Sequence, residues 1–252
     1  MAPQSMPGRD TILSVLSGIF WGFFGIAAVL ALACTITPAG QYLSFSNYLQ
    51  ILTAFAGAAA FLCLYFRYGR GTGLLYAAWA FALFGIADAA WYATVFFGAG
   101  TFTFPSLIDM GFVAAILFMA SAYNRIYPRK QGRGRILLTI LVLVLLVPLA
   151  ILMTSGFTDK ALTILLFFFA CGSLIITGVN HSVPDYLLDL AGMVLFALAF
   201  MLYPIRETFF AGNPYLSVIG TFVSAGLALI VLGALKSVPG SARPDSVNAG
   251  QP

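Results

Sequence analysis

Arg135-Ile-Leu-Leu-Thr-Ile-Leu-Val-Leu-Val-Leu-Leu-Val-Pro-Leu-Ala-Ile-Leu-Met-Thr154 carries no charge after its first position. The hydrocarbon core of a bilayer, about 30 Å thick, takes roughly 20 apolar residues of helix. This stretch therefore reads as a membrane span. Working outward, seven further stretches have the same character: Thr11–Thr35, Asn47–Phe66, Gly73–Phe97, Pro105–Asn124, Lys160–Val179, Asp185–Arg206 and Pro214–Leu235. Together they fill almost the whole chain and leave no room for a soluble domain. The fold class expected is an all-α polytopic membrane protein with about eight transmembrane helices.

Composition agrees. Of 252 residues, 61% are hydrophobic and 8% charged, and the mean hydropathy is +0.99. A soluble domain carries about 25% charged residues. The net charge of +4 does not imply nucleic acid, because the basic residues are scattered through short loops, where they report membrane orientation. With the N-terminus in the cytoplasm, one face receives Arg9, Arg67, Arg70, Arg125, Arg129, Lys130, Arg133, Arg135, Lys236 and Arg243. The other receives only Lys160 and Arg206. Both termini are then cytoplasmic, which also requires an even number of spans. The first apolar run exceeds the 7–15 residues of a signal-peptide core, so it reads as a retained span of a multi-pass cell-membrane protein.

The expected organisation is a short N-terminus (1–10), a first four-span unit (11–124), a basic cytoplasmic loop (125–134), a second four-span unit (135–235) and a disordered cytoplasmic tail (236–252). The halves look related. Trp91-Tyr-Ala-Thr-Val-Phe-Phe-Gly98 matches Pro204-Ile-Arg-Glu-Thr-Phe-Phe-Ala211. The following spans open Pro105-Ser-Leu and Pro214-Tyr-Leu, each with a glycine six residues on, Gly111 and Gly220. Four spans per unit make the repeats parallel, about an axis along the membrane normal. Gly18-x-x-x-Gly22 lets helix backbones approach, within the chain or in a homo-oligomer.

Ionisable groups inside a bilayer are costly and are functional candidates by default. Asp88 lies deep in the third span, with Trp91 and Tyr92 at i+3 and i+4 on its helical face. Asp109 sits one turn into the fourth span from the same membrane face, and Arg206 and Glu207 near that end of the seventh. These six residues make a candidate outward-facing ligand pocket. The ordinary alternative is an ion pair of Asp88 or Asp109 with Arg206 that ties the halves together. Asp185 and Asp189, beside His181 at the cytoplasmic face, read as a helix cap and dipole partners.

Several chemistries lack their residues. A single histidine cannot supply a two-histidine haem or metal site. No lysine lies mid-membrane for a Schiff base. Gly69-Arg-Gly-Thr-Gly73 lacks the P-loop spacing. Cys34, Cys63 and Cys171 lie in three different spans without metal spacing. No cofactor, metal or catalytic residue is expected.

Gly85-Ile-Ala-Asp88-Ala-Ala-Trp91, followed by Phe104-Pro105-Ser106-Leu107-Ile-Asp109, resembles the multi-span membrane input regions of prokaryotic diguanylate cyclases and sensor histidine kinases. Those regions often read Gly-x-x-Asp-x-x-Trp and then Pro-Ser-x-x-Asp. Val183-Pro-Asp-Tyr-Leu-Leu-Asp189 resembles the start of their second half. Met201, Tyr203 and Pro204 stand where a second Gly-x-x-Asp belongs, and the tail is too short for an output domain. A weaker likeness, to eight-span lysoplasmalogenases, rests on Gly85 and Asp88. The resemblance implies a stand-alone sensory or ligand-binding module, more a receptor than an enzyme. It would bind a small or lipid-like ligand and signal through a cytoplasmic partner at the Arg125–Arg135 loop. The alternatives are a lipid-acting membrane enzyme and a small transporter.

Overall fold

The structure is a computed structural model that describes residues 8–36, 41–69, 71–97, 106–127, 133–156, 158–181, 187–203 and 216–241. The described residues form α1 (Gly8–Ile36), α2 (Gln41–Tyr68), α3 (Thr72–Phe97), α4 (Leu107–Ile126), α5 (Arg133–Gly156), α6 (Ala161–His181), α7 (Leu187–Met201) and α8 (Leu216–Ser241), with a 3₁₀ turn over Thr158–Lys160 ahead of α6. Seven are long and apolar enough to cross a membrane. The all-α polytopic expectation holds. The eighth, α7, has 15 described residues, about 22 Å at 1.5 Å per residue. It is shorter than the span expected over Asp185–Arg206, whose two ends lie outside the described residues.

The helices run alternately up and down. Six of them close a ring, in the order α2, α3, α4, α6, α7, α8 and back to α2. α1 packs outside this ring on α8, and α5 packs outside it on α6. Moving four helices along the chain maps the ring adjacencies onto themselves. The two matching glycines do not follow that correspondence. A Cβ on Gly111 would meet Ala87 of α3, whereas one on Gly220 would meet Ser46 and Gln50 of α2.

Close approach at glycine sets the tightest seams. On α7 and α8, a Cβ at Gly192 would lie 2.7 Å from the Ile230 nitrogen, and one at Gly226 would lie 2.7 Å from Phe196 Cβ. Small residues are what allow helix backbones to pack this closely. The α2–α3 connection turns at Gly69, whose φ of +126° is a conformation that glycine adopts without steric penalty.

Inside the ring, aromatic side chains interlock. Phe84 of α3 lies 5.2 Å from Phe112 of α4 and 5.4 Å from both Phe196 and Phe200 of α7. Phe167 of α6 stacks on Phe200 at 5.3 Å. Such offset and edge contacts suit the ring quadrupoles and add about 0.5–1.5 kcal/mol each beyond the area they bury.

Candidate functional site

Asp88 lies on α3 and is 1% exposed; Asp109 lies in the first turn of α4 and is 4% exposed. The antiparallel register of these helices pairs Gly73 with Ile126, Phe84 with Phe112 and Ala87 with Gly111. Asp88 and Asp109 therefore share a level, near the end of the bundle opposite Gly8 and Ser241. Asp109 has a definite local role. Its Oδ2 accepts from the Ser106 backbone nitrogen and the Ser106 hydroxyl, each at 2.7 Å, while Ser106 Oγ accepts from the Asp109 nitrogen at 3.2 Å. This reciprocal capping box satisfies donors that α4 would otherwise leave open inside the membrane.

The aromatic partners named from sequence line the same end. Trp91 is buried, with its ring 5.9 Å from Tyr203 beyond the end of α7. The Tyr92 hydroxyl donates to the Tyr48 hydroxyl of α2 at 2.9 Å, and the two rings lie 4.9 Å apart. Arg206 and Glu207, the other members of the expected pocket, lie outside the described residues, as does Asp185.

Neutral polar residues at this end had not entered the sequence-based pocket. Ser46, Asn47, Gln50 and Thr53 of α2 are buried, as are Thr221 and Ser224 of α8. Ser46, Gln50 and Thr53 repeat at i, i+4 and i+7, one face of a helix, and this spacing was the signal available in the sequence. Thr53 and Ser224 donate back into their own helices. Asn47 Nδ2 has no hydrogen-bond partner among the described residues.

A second polar layer sits near the opposite end of the bundle, where sequence had assigned only capping. Asp189, in the first turn of α7, is 3% exposed. Its Oδ1 accepts from the Tyr123 hydroxyl at 2.8 Å and its Oδ2 from the Tyr127 hydroxyl at 3.5 Å. The Tyr123 hydroxyl also lies 3.3 Å from the Ile230 carbonyl of α8. His181 Nε2 meets Asn124 Oδ1 at 2.9 Å, and Asn124 Nδ2 reaches Thr177 Oγ1 at 3.5 Å. Tyr123, Tyr127, His181 and Asp189 line a cavity of about 10 Å³, room for roughly one water molecule. Asp189 thus ties α4 to α7, and His181 ties α4 to α6, in two buried hydrogen-bonded groups beside one cavity. The i, i+4 pair Tyr123 and Tyr127 was its sequence signal.

The basic loop expected over Arg125–Arg135 is partly helix. Arg125, in the last turn of α4, holds its guanidinium 4.4 Å from the centre of the Tyr76 ring and donates to Thr72 Oγ1 at 3.4 Å. Arg135, in the first turn of α5, donates to the Asn180 carbonyl. Residues 128–132 lie outside the described residues. Cys34, Cys63 and Cys171 form no disulfide among the described residues, and Cys34 and Cys171 are buried. Among the described residues, no cluster of three or more His, Cys, Asp or Glu side chains is arranged to hold a metal ion. Comparison of the chain with family models, curated proteins and solved structures gives no match.

Proposed function

We propose that this chain is a membrane-embedded sensory or ligand-binding module. In this proposal the Asp88 and Asp109 end faces outward and takes a small or lipid-like molecule that carries hydrogen-bond donors or positive charge. The observation that carries the proposal is the burial of two carboxyl groups at one level of adjacent helices. A charged residue at the centre of a span costs about 2.5–3.5 kcal/mol on insertion scales. The capping box accounts for Asp109 but not for Asp88, and the buried Asn47 amide on the neighbouring α2 offers a further donor. Trp91 and Tyr92 supply the apolar wall.

Helix α7 supplies a route for the signal. Tyr203, just past its end, touches Trp91, and Asp189 in its first turn is held by Tyr123 and Tyr127. A ligand that displaces Trp91 biases the Asp189 network at the other end, and a cytoplasmic partner reads that change. The described Arg67, Arg125, Arg135 and Lys236 all lie at the end that carries Gly8 and Ser241, and Lys160 lies at the other. That distribution supports cytoplasmic termini.

Thermal stability of the detergent-purified protein against a panel of lipids and small molecules tests the proposal. A ligand bound by the native state raises the melting temperature. Asp88→Asn should fold and lose that shift. If no compound shifts the wild type and Asp88→Asn merely melts early, Asp88 is a packing residue and the proposal fails.

One observation favours a second reading, a small transporter. Alternating access needs polar groups near both ends of the bundle, and the Asp189 network adds them at the end opposite Asp88. Uptake of the stabilising compound into proteoliposomes separates the two readings.

A further inference from the structure

Between α1 and the paired helices α7 and α8 runs a groove of about 440 Å³, lined by Leu13, Ser14, Ser17 and Trp21 on one side and Leu188, Leu232, Leu235 and Lys236 on the other. It lies at the end of the bundle that carries Gly8 and Ser241, away from Asp88. Its lining mixes polar and apolar groups. Ser14, Ser17 and Lys236 supply three polar heads near the helix ends. Trp21 lies one turn deeper than Ser17 on the same wall, with Leu188, Leu232 and Leu235 on the other.

The polar heads are available. Thr53, Thr94, Ser173 and Ser224 donate to the carbonyl four residues back in their own helices, the common way to satisfy a hydroxyl inside a span. Ser14 and Ser17 make no hydrogen bond among the described residues, and Lys236 makes neither a hydrogen bond nor an ion pair there. Ser14, Ser17 and Trp21 fall at i, i+3 and i+7, one face of α1. Lys236 stands five residues before the end of α8 and Ser14 six after the start of α1, which is about 8–9 Å of helix in each case. An exposed lysine at that depth carries its ammonium to the headgroup level. The groove side of α1 is open to lipid, because Ser14 is exposed and Trp21 is 48% exposed.

We propose that this groove is a binding site for one anionic phospholipid of the adjoining leaflet. Its phosphate sits against the Lys236 ammonium and accepts from the Ser14 and Ser17 hydroxyls. One acyl chain lies along Trp21, Leu188 and Leu232. A basic group between helices at the membrane surface is the usual means of holding an anionic headgroup, and the hydroxyls add the directed donors that a phosphate accepts. The site is independent of the ligand proposed at Asp88.

Trp21 makes the test direct. The full chain is placed in phosphatidylcholine nanodiscs containing increasing fractions of phosphatidylglycerol or phosphatidylcholine with brominated acyl chains, and the quenching of tryptophan fluorescence is followed. The Trp21 part is the difference between wild type and Trp21→Phe. Brominated phosphatidylglycerol is expected to half-quench Trp21 at about a fivefold lower fraction than brominated phosphatidylcholine, as one lysine contact warrants. Lys236→Ala should abolish the preference and Lys236→Arg should keep it. Equal quenching by the two lipids in the wild type, no Trp21 quenching at all, or a preference that survives Lys236→Ala would each overturn the proposal.

Discussion

The hydroxyl of Tyr123 donates to Asp189 Oδ1 at 2.8 Å, across 66 residues of sequence, and thereby ties the end of α4 to the start of α7. The same hydroxyl lies within reach of the Ile230 carbonyl, so one phenol sits where three helices meet. Tyr123→Phe removes both contacts and leaves a buried carboxyl group with one hydrogen bond fewer. A loss of about 1–3 kcal/mol is expected, seen as an earlier unfolding transition in detergent. Asp189→Asn keeps an acceptor and should cost less. In the double variant the two losses should fall well short of additive, because both act on one bond.

The α7–α8 seam should resist added volume. Gly226→Ala places a methyl group 2.7 Å from both Phe196 Cβ and the Phe196 nitrogen. Backbone atoms cannot rotate away, so overpacking of about 1–3 kcal/mol follows. Gly22→Ala on α1 is the control. Nothing lies within 4 Å of its new Cβ, and alanine is the better helix former, so stability should hold or rise slightly. Thermal unfolding of the two variants side by side checks the difference.

Ser106→Ala should cost about 1 kcal/mol through loss of the α4 cap. Asp109→Asn should cost a comparable amount if Asp109 only completes the capping box. The informative comparison is ligand dependence. A compound whose stabilising shift survives Ser106→Ala but disappears in Asp109→Asn would give Asp109 a binding role beyond the cap.

Orientation is checked by labelling single cysteines, introduced after Cys34, Cys63 and Cys171 are replaced by alanine, with a membrane-impermeant maleimide in intact cells. Lys160→Cys, in the 3₁₀ turn ahead of α6, should react from outside. Gly71→Cys, beside the α2–α3 turn, should react only after the membrane is opened. Reversed labelling would place the Asp88 end in the cytoplasm and remove the outward-facing pocket.

The membrane spans were legible in the sequence because the bilayer imposes a local condition, about 20 apolar residues in a row, that each helix meets or fails by itself. Asp88, Asp109, Trp91 and Tyr92 were legible as candidates for a related reason, since polar groups stand out against so apolar a chain. The Ser106–Asp109 cap lies within four residues, yet only the folded geometry shows the carboxyl group turned back onto Ser106. For Asp189 the sequence offers only a helix-cap and dipole role, because its main partners, Tyr123 and Tyr127, are more than 60 residues away.

The sequence by itself determined the class, the helices and the uneven placement of basic residues. It could not tell which helices stand inside. α5 has the higher mean hydropathy, 3.2, with only 6% of its window buried, whereas α8 has 2.3 with 89% buried. Lipid tails are as apolar as a protein core, so hydropathy does not separate a helix that faces lipid from one that faces other helices. That choice follows from packing. The glycines at 192 and 226, the interlocked rings of Phe84, Phe112, Phe196 and Phe200, and the tyrosines that reach Asp189 place α7 and α8 within the ring, while α1 and α5 stay on its rim.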